Sequence, residues 1–281
     1  MRSLSPDVRL GFRPNGSLIS LFVHQEEPGP NRYIVDAVIL PRLAMVLLII
    51  SSFPPVVVAD GRTAEFSGYE WLFRRTREPE GPGPNVFLDN PRTIWVDDLG
   101  YLHLRVWTRG GRWYCSEARL AESLGYGTYE FVLESEPRFS GPSVILGLFT
   151  YDHEAPDADH REINIEFGRF GDPKTPGTQY AMQPFDEPGN QYRFPPPSGD
   201  QPSTHGFCWL PGRIESRSAV ADLFALSPED DALLRTFVID SDQVPLPGSE
   251  TVHINLWLYR GEAPPSDQEV VVRSFTRRPG E

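Results

Sequence analysis

Lysine is almost missing from this chain: of 26 basic residues among 281, only Lys174 is not arginine. That bias carries no chemistry. Basic charge of any kind is in short supply, since 39 acidic residues leave a formal net charge of −13. Such a surface repels the polyanion that a nucleic-acid-binding protein must neutralise, so nucleic acid is not expected as a partner. Cysteine is limited to Cys115 and Cys208, with no CxxC pair, which gives no support to a zinc ribbon or a redox motif. Two thiols 93 residues apart, each in an apolar strand-like stretch, leave two readings open, a disulfide permitted by an oxidising destination or a pair of buried thiols. No Gly-rich phosphate loop opens a helix, and the serine near Phe66-Ser67-Gly68 belongs to no nucleophile elbow with a paired His and Asp.

Long apolar runs are lacking as well. Residues 43–50 (Leu-Ala-Met-Val-Leu-Leu-Ile-Ile), between Arg42 and Pro54-Pro55, are too few to cross a hydrocarbon core of about 30 Å at about 1.5 Å per residue. They suit the h-region of a signal peptide, with the small residues Val57-Val58-Ala59 placing cleavage before Asp60. A buried strand is the competing reading. The stretch in front of the h-region is unusually long, so 1–59 is read as an upstream leader plus signal peptide. Residues 60–281 hold 21 basic and 35 acidic residues, so the acidity belongs to the part expected to fold as one domain. The protein is expected to be secreted, extracellular or periplasmic, a monomer with no membrane attachment beyond the signal peptide.

What is plentiful is proline, 29 residues, and aromatics, 12% of the chain. Proline penalises helix interiors and central strands and collects in turns, while the aromatics and 39% hydrophobic content supply a core. From Asp60 onward, stretches of period-two alternation are closed by turn residues, and a 3.6 period is almost nowhere seen. Leu102, Leu104 and Val106 alternate with His103 and Arg105; Arg109-Gly110-Gly111 then turns into 112–120, which predicts a hairpin. Other strands are expected at 65–74, 93–97, 127–135, 143–151, 161–168, 178–183, 205–210, 213–219, 252–260 and 268–276. Long loops are expected at 76–91, 152–160 and 184–204, and one short helix within 218–226 or 228–234. About a dozen strands with no helical layer must pack as an all-β sandwich or close as a barrel.

The segment richest in chemistry is Arg161-Glu162-Ile163-Asn164-Ile165-Glu166-Phe167-Gly168. In a strand, Ile163, Ile165 and Phe167 share one face while Glu162, Asn164 and Glu166 share the other. Two carboxylates on one face suit a retaining glycosidase, which needs a nucleophile and an acid/base close together. A half-exposed antiparallel strand alternates in the same way without any catalytic role.

The motifs around that strand are more specific. Trp113-x-x-Ser116-Glu117, Gly125-Tyr126-Gly127-Thr128-Tyr129-Glu130, Glu162-Ile-Asn-Ile-Glu166-Phe, His205-x-Phe207-x-Trp209 and Asn255-Leu256-Trp257 follow one another in this order. In these the chain resembles glycoside hydrolase family 16, which includes laminarinases, lichenases, agarases and xyloglucan endotransglycosylases. The resemblance implies a concanavalin A-like jelly roll of two curved antiparallel sheets, a β-glycan cleft along the concave face and retaining catalysis; no cofactor is expected. It would make Glu162 the nucleophile and Glu166 the general acid/base. Asn164 stands where the family has an aspartate, and an asparagine can donate a hydrogen bond but cannot titrate. The segment 142–149 lacks the family's sugar-stacking tryptophan, and Val132 replaces its usual arginine. The alternative reading is therefore a catalytically weak or inactive glycan-binding sandwich.

Further candidates for substrate contact are Trp257 and Asn255 on the last part of the chain, Gln179 and Gln183 on the strand after the glutamates, Trp113, and Arg161 beside Glu162. The run Asp152-His153-Glu154-x-x-Asp157-x-Asp159-His160 has no glycine where a calcium loop needs one and no zinc spacing. It reads as an acidic surface loop beside the cleft, with no metal expected; His160 and Arg161 are placed to tune Glu162.

Overall fold

The computed structural model describes residues 8–12, 18–23, 61–196, 201–220 and 233–280. The expected h-region at 43–50 and the cleavage point before Asp60 lie outside the described residues, as does most of the helix expected at 218–226 or 228–234. The chain divides into two units, Met1–Val56 and Val57–Glu281. In the first, β1 (Val8–Phe12) and β2 (Leu18–Val23) pair antiparallel. No helix among the described residues is long and apolar enough to cross a membrane.

The second unit is built from two large antiparallel sheets. The first sheet runs in the order β13 (Gln191–Phe194), β12 (Thr178–Met182), β11 (Ile163–Phe167), β10 (Val144–Tyr151), β17 (Thr251–Leu258), β8 (Ser116–Leu120), β4 (Tyr69–Phe73) and β3 (Thr63–Phe66). The second runs β16 (Leu233–Asp240), β15 (Arg213–Ala219), β14 (Ser203–Leu210), β9 (Gly127–Leu133), β18 (Gln268–Pro279), β6 (Leu102–Arg109) and β5 (Ile94–Val96), with β7 (Arg112–Tyr114) paired to β6. This is the expected all-β sandwich.

The strands form where alternation was read, with some corrections. The segment 65–74 is two strands, because Ser67 (φ 54°) and Gly68 (φ 80°) make a tight turn between β3 and β4. The hairpin at Gly110-Gly111 is present, both glycines at positive φ (60° and 79°), the backbone hand that matches strand twist in a two-residue loop. Its return strand is not continuous through 120. At Cys115 the chain bridges to Phe87 and changes sheets, so β7 stays with β6 while β8 pairs with β17 and β4. β13 lies inside the expected loop 184–204, and β16 opens at Leu233, within the end of the helix expected at 228–234. Cys115 is buried and Cys208 partly so, and both thiols are free, which removes the disulfide reading. Burial pushes the Cys115 thiol up to about 12.

The core lies between the sheets, where Ile163, Ile165, Ile254 and Leu256 of the first are buried with Leu102, Leu104, Phe131 and Phe207 of the second. Phe275 of β18 meets Trp71 of β4 edge-on at 5.4 Å, an aromatic contact between the sheets. Burying each such side chain contributes about 1.5–3 kcal/mol. One polar chain also crosses the core. Tyr180 of β12 and Ser218 of β15 share a hydrogen bond of 2.5 Å, His205 Nδ1 lies 2.7 Å from Ser218 Oγ and its Nε2 2.8 Å from Ser203 Oγ, and Ser203 donates to Glu136 at 2.9 Å. Buried hydrogen-bonded networks of this kind favour one packing over others; here Glu136 Oε1, at its end, is buried without a hydrogen-bond partner among the described residues.

Candidate functional site

Pleating divides β11 as read from the sequence: Ile163, Ile165 and Phe167 face the core, leaving Asn164 and Glu166 on the opposite face, with Glu162 one residue before the strand. Register then sets two rows across the sheet. Gln179, Glu166, Gly147, Asn255 and Glu117 stand side by side on β12, β11, β10, β17 and β8. Asn164, Phe149, His253 and Arg119 form the neighbouring row. These rows floor a groove of ≈ 470 Å³ lined by Glu162, Asn164, Glu166, Asn255 and Trp257 among others. Glycine at 147 leaves room for the Asn255 amide on this floor, because a Cβ there would lie 2.6 Å from Asn255 Oδ1 and displace it.

Each carboxylate has its own environment. Burial raises the Glu162 carboxyl above the usual range, opposed by hydrogen bonds from Asn164 and Gln183 and by the nearby His160. Asn164 Nδ2 donates to Glu162 Oε1 at 2.8 Å. Burial pushes Glu166 up to about 7, the Glu162 charge adds to this, and Gln179 opposes it. Gln179 Nε2 donates to Glu166 Oε2 at 2.5 Å while its Oε1 accepts from Arg193 Nε at 2.8 Å, so Arg193 fixes which end of the amide faces Glu166. At the far end of the row, burial pushes Glu117 up, but His253 (3.1 Å) and Arg74 (2.9 Å) outweigh it and hold the carboxyl at about 2.

The structure thus brings Glu162, Asn164, Glu166, Asn255 and Trp257 to one groove, with Gln179 and Gln183 as hydrogen-bond partners of the two glutamates. Trp257 also packs on the core. Two candidates stand elsewhere. Trp113 is half-buried against the core on β7, which pairs with the second sheet. Arg161 turns away from the groove, its Nε 3.5 Å from Asp152 Oδ2. Sequence reasoning passed over Glu117, His253, Phe149, Tyr151 and Arg74 as groove residues. Alternation along 116–120 and 251–258 could have found Glu117 and His253, on the same face as Asn255; Arg74 follows the end of β4, where no periodicity marks it. The loop 152–160 exposes Glu154, Asp157 and Asp159, but Asp152 is buried. No group of three His, Cys, Asp or Glu among the described residues is placed to hold a metal ion.

No family model and no curated protein sequence matches the chain. Among solved structures it is similar to a β-glucanase of Bacillus licheniformis, with a TM-score of 0.54 and 17% identity over 79% of this chain and 100% of that one. A β-1,3-glucanase from Mycobacterium marinum gives a TM-score of 0.55 and 15% identity, covering 76% of this chain and 92% of that one. An immunostimulatory antigen and pseudo β-1,3-glucanase of Mycobacterium tuberculosis gives 0.54 and 17%, covering 75% and 91%. The chain has the jelly-roll fold of these proteins, the fold that the resemblance to glycoside hydrolase family 16 implies.

Proposed function

We propose that this chain is a divergent member of glycoside hydrolase family 16, a retaining glycoside hydrolase or transglycosylase acting on a β-linked polysaccharide. The observation that carries the reading is the shared groove floor on which Glu162 and Glu166 stand, each held by its own amide donor, Asn164 and Gln179. Fold alone does not give an activity; the differently tuned carboxylates do the arguing.

In this reading the Glu162 carboxylate attacks the anomeric carbon while the proton of Glu166 passes to the departing glycosidic oxygen, leaving a glycosyl ester on Glu162. Glu166, now ionised, takes a proton from water or from an acceptor sugar hydroxyl, whose oxygen displaces Glu162 from the anomeric carbon. Asn164 favours the ionised form of Glu162 by donating to it, which supports turnover despite the missing aspartate. Asn255 and Trp257 contact the sugar. The enzyme is secreted by way of the 43–50 segment and works as a monomer, with 60–281 as its one folded domain and no cofactor.

A second reading, a glycan-binding sandwich without turnover, is favoured by Asn164 itself, since the side chain that donates to Glu162 is an amide and cannot exchange a proton with it. Reducing-end assays of the purified protein on β-glucans, galactans and xyloglucan separate the two. Cleavage of one glycan, reduced about 10³-fold or more in Glu162→Gln, establishes the enzyme; saturable binding without cleavage establishes the lectin-like alternative.

A further inference from the structure

The chain enters Glu162 through three consecutive residues in the left-handed region, Asp159 (φ 47°), His160 (φ 56°) and Arg161 (φ 50°). None is glycine. Side chains are disfavoured there because Cβ crowds the neighbouring carbonyl, and such conformations persist only where the surroundings over-determine them. At Glu162 the backbone returns to extended geometry (φ −88°, ψ 118°), so the turn decides the direction from which that side chain reaches the groove.

The group that fixes the turn is Asp152, at the end of β10 and only 2% exposed. Its Oδ1 accepts from the Glu154 N–H at 2.9 Å and its Oδ2 from the Ser249 N–H at 3.1 Å. The same Oδ2 faces Arg161 Nε at 3.5 Å. Arg161 Nε is buried with no hydrogen-bond partner among the described residues, so the Asp152 carboxylate is the anion that offsets it. The Asp152 backbone closes the other side: its N–H donates to the His160 carbonyl at 2.7 Å, and His160 Nδ1 lies 2.9 Å from the Asp152 carbonyl. Around this knot the His160 ring lies flat on Tyr151 at 4.4 Å, and Thr150 Oγ1 donates to the Arg161 carbonyl at 2.8 Å. Gly248 leaves the seat for the guanidinium, since a Cβ there would lie 2.8 Å from Arg161 Cζ.

We propose that Asp152 is a positioning residue for Glu162, its buried carboxylate joining the 249 backbone and Arg161 to the left-handed turn that aims the nucleophile. The inference rests on the reading of Glu162 as the nucleophile. Asp152→Asn tests it. The amide can still accept from Glu154 but turns an N–H donor toward Ser249 and Arg161, so the Asx turn survives while the clamp is lost. Two quantities are read in the full chain: kcat and KM on the glycan cleaved, and the titration of the Glu162 carboxyl by ¹³C NMR, its resonance assigned by its loss in Glu162→Gln. The expected result is a kcat about 10²-fold lower with KM within about twofold, the signature of a displaced reacting group. The Glu162 midpoint shifts away from wild type, because the turn that sets the burial of that carboxyl and its distance from His160 is no longer held through Arg161. Asp157→Asn, an exposed acid of the same loop, leaves both quantities unchanged. A Glu162 midpoint in Asp152→Asn that coincides with wild type overturns the proposal, as does retention of kcat. If wild type cleaves no glycan, the nucleophile reading fails separately and the midpoint alone decides whether Asp152 sets the Glu162 environment. Should Asp152→Asn not fold, Gly248→Ala displaces Arg161 from the opposite side and is read in the same way.

Discussion

Glu162 and Glu166 leave neighbouring positions of one segment with identical side chains, and only their surroundings tell them apart. Glu166 is raised to about 7 by burial against one amide donor; Glu162, also raised, has two donors and His160 working for its charged form. A bell-shaped profile of kcat/KM follows, with the acid limb set by Glu162 and the alkaline limb near 7 by loss of the Glu166 proton. Gln179→Leu removes the hydrogen bond that favours ionised Glu166, so the alkaline limb moves to higher pH. Asn164→Asp replaces a donor by a like charge beside Glu162, so the acid limb moves up. Both shifts are checked by pH–rate profiles of the variants against wild type. A limb that stays in place in Gln179→Leu removes Glu166 from the general-acid role.

At the level of the strands, the core faces were legible because alternation separates apolar from polar side chains: Ile163, Ile165 and Phe167 face the core and Tyr180 and Met182 are buried, although Asn164 and Gln179 on the groove face are buried as well. What alternation could not show is where a strand changes sheets, as at Cys115, or which strand becomes a neighbour. The row from Glu166 to Glu117 is assembled by β10 and β17, residues far apart in sequence, so the groove was legible only one strand at a time. The three left-handed residues before Glu162 were likewise silent, since none is glycine. Gly147 is a case where register gives a plain residue a task. Asn255 Oδ1 lies over it, buried and without a hydrogen-bond partner among the described residues, in a residue that lines the groove. Gly147→Ala displaces the Asn255 amide and presses on the Phe149 ring at 3.3 Å, so melting should fall modestly. Displacing the Asn255 amide from its place in the groove lining should weaken glycan affinity by about tenfold, about 1.4 kcal/mol, as read by calorimetric titration. Unchanged affinity would take Asn255 out of the binding surface.

Across the whole molecule, the two carboxylates of the groove row act on stability in opposite senses. Glu117 is held at about 2 in the folded protein against an ordinary 4.5, so its stabilisation is complete above 4.5 and is lost as pH falls toward 2. Glu166, raised from 4.5 to about 7, binds its proton more tightly folded than unfolded; folded stability therefore declines as pH rises from 4.5 through 7 and stays reduced above it. The domain also carries its acidic excess into that range, adding self-repulsion as pH rises. The sandwich should consequently be most stable in mildly acidic solution, with the acid carboxyl of the groove working against folding at neutral pH. Glu166→Gln isolates that cost. At pH 8 the variant should melt higher than wild type, by a stability gain of about 2 kcal/mol after allowance for partial solvation of the site. At pH 4, where wild-type Glu166 is protonated in both states, the two proteins should melt together. Denaturant titrations at the two pH values measure the difference, and an equal shift at both would assign the effect to packing and leave Glu166 with an ordinary carboxyl.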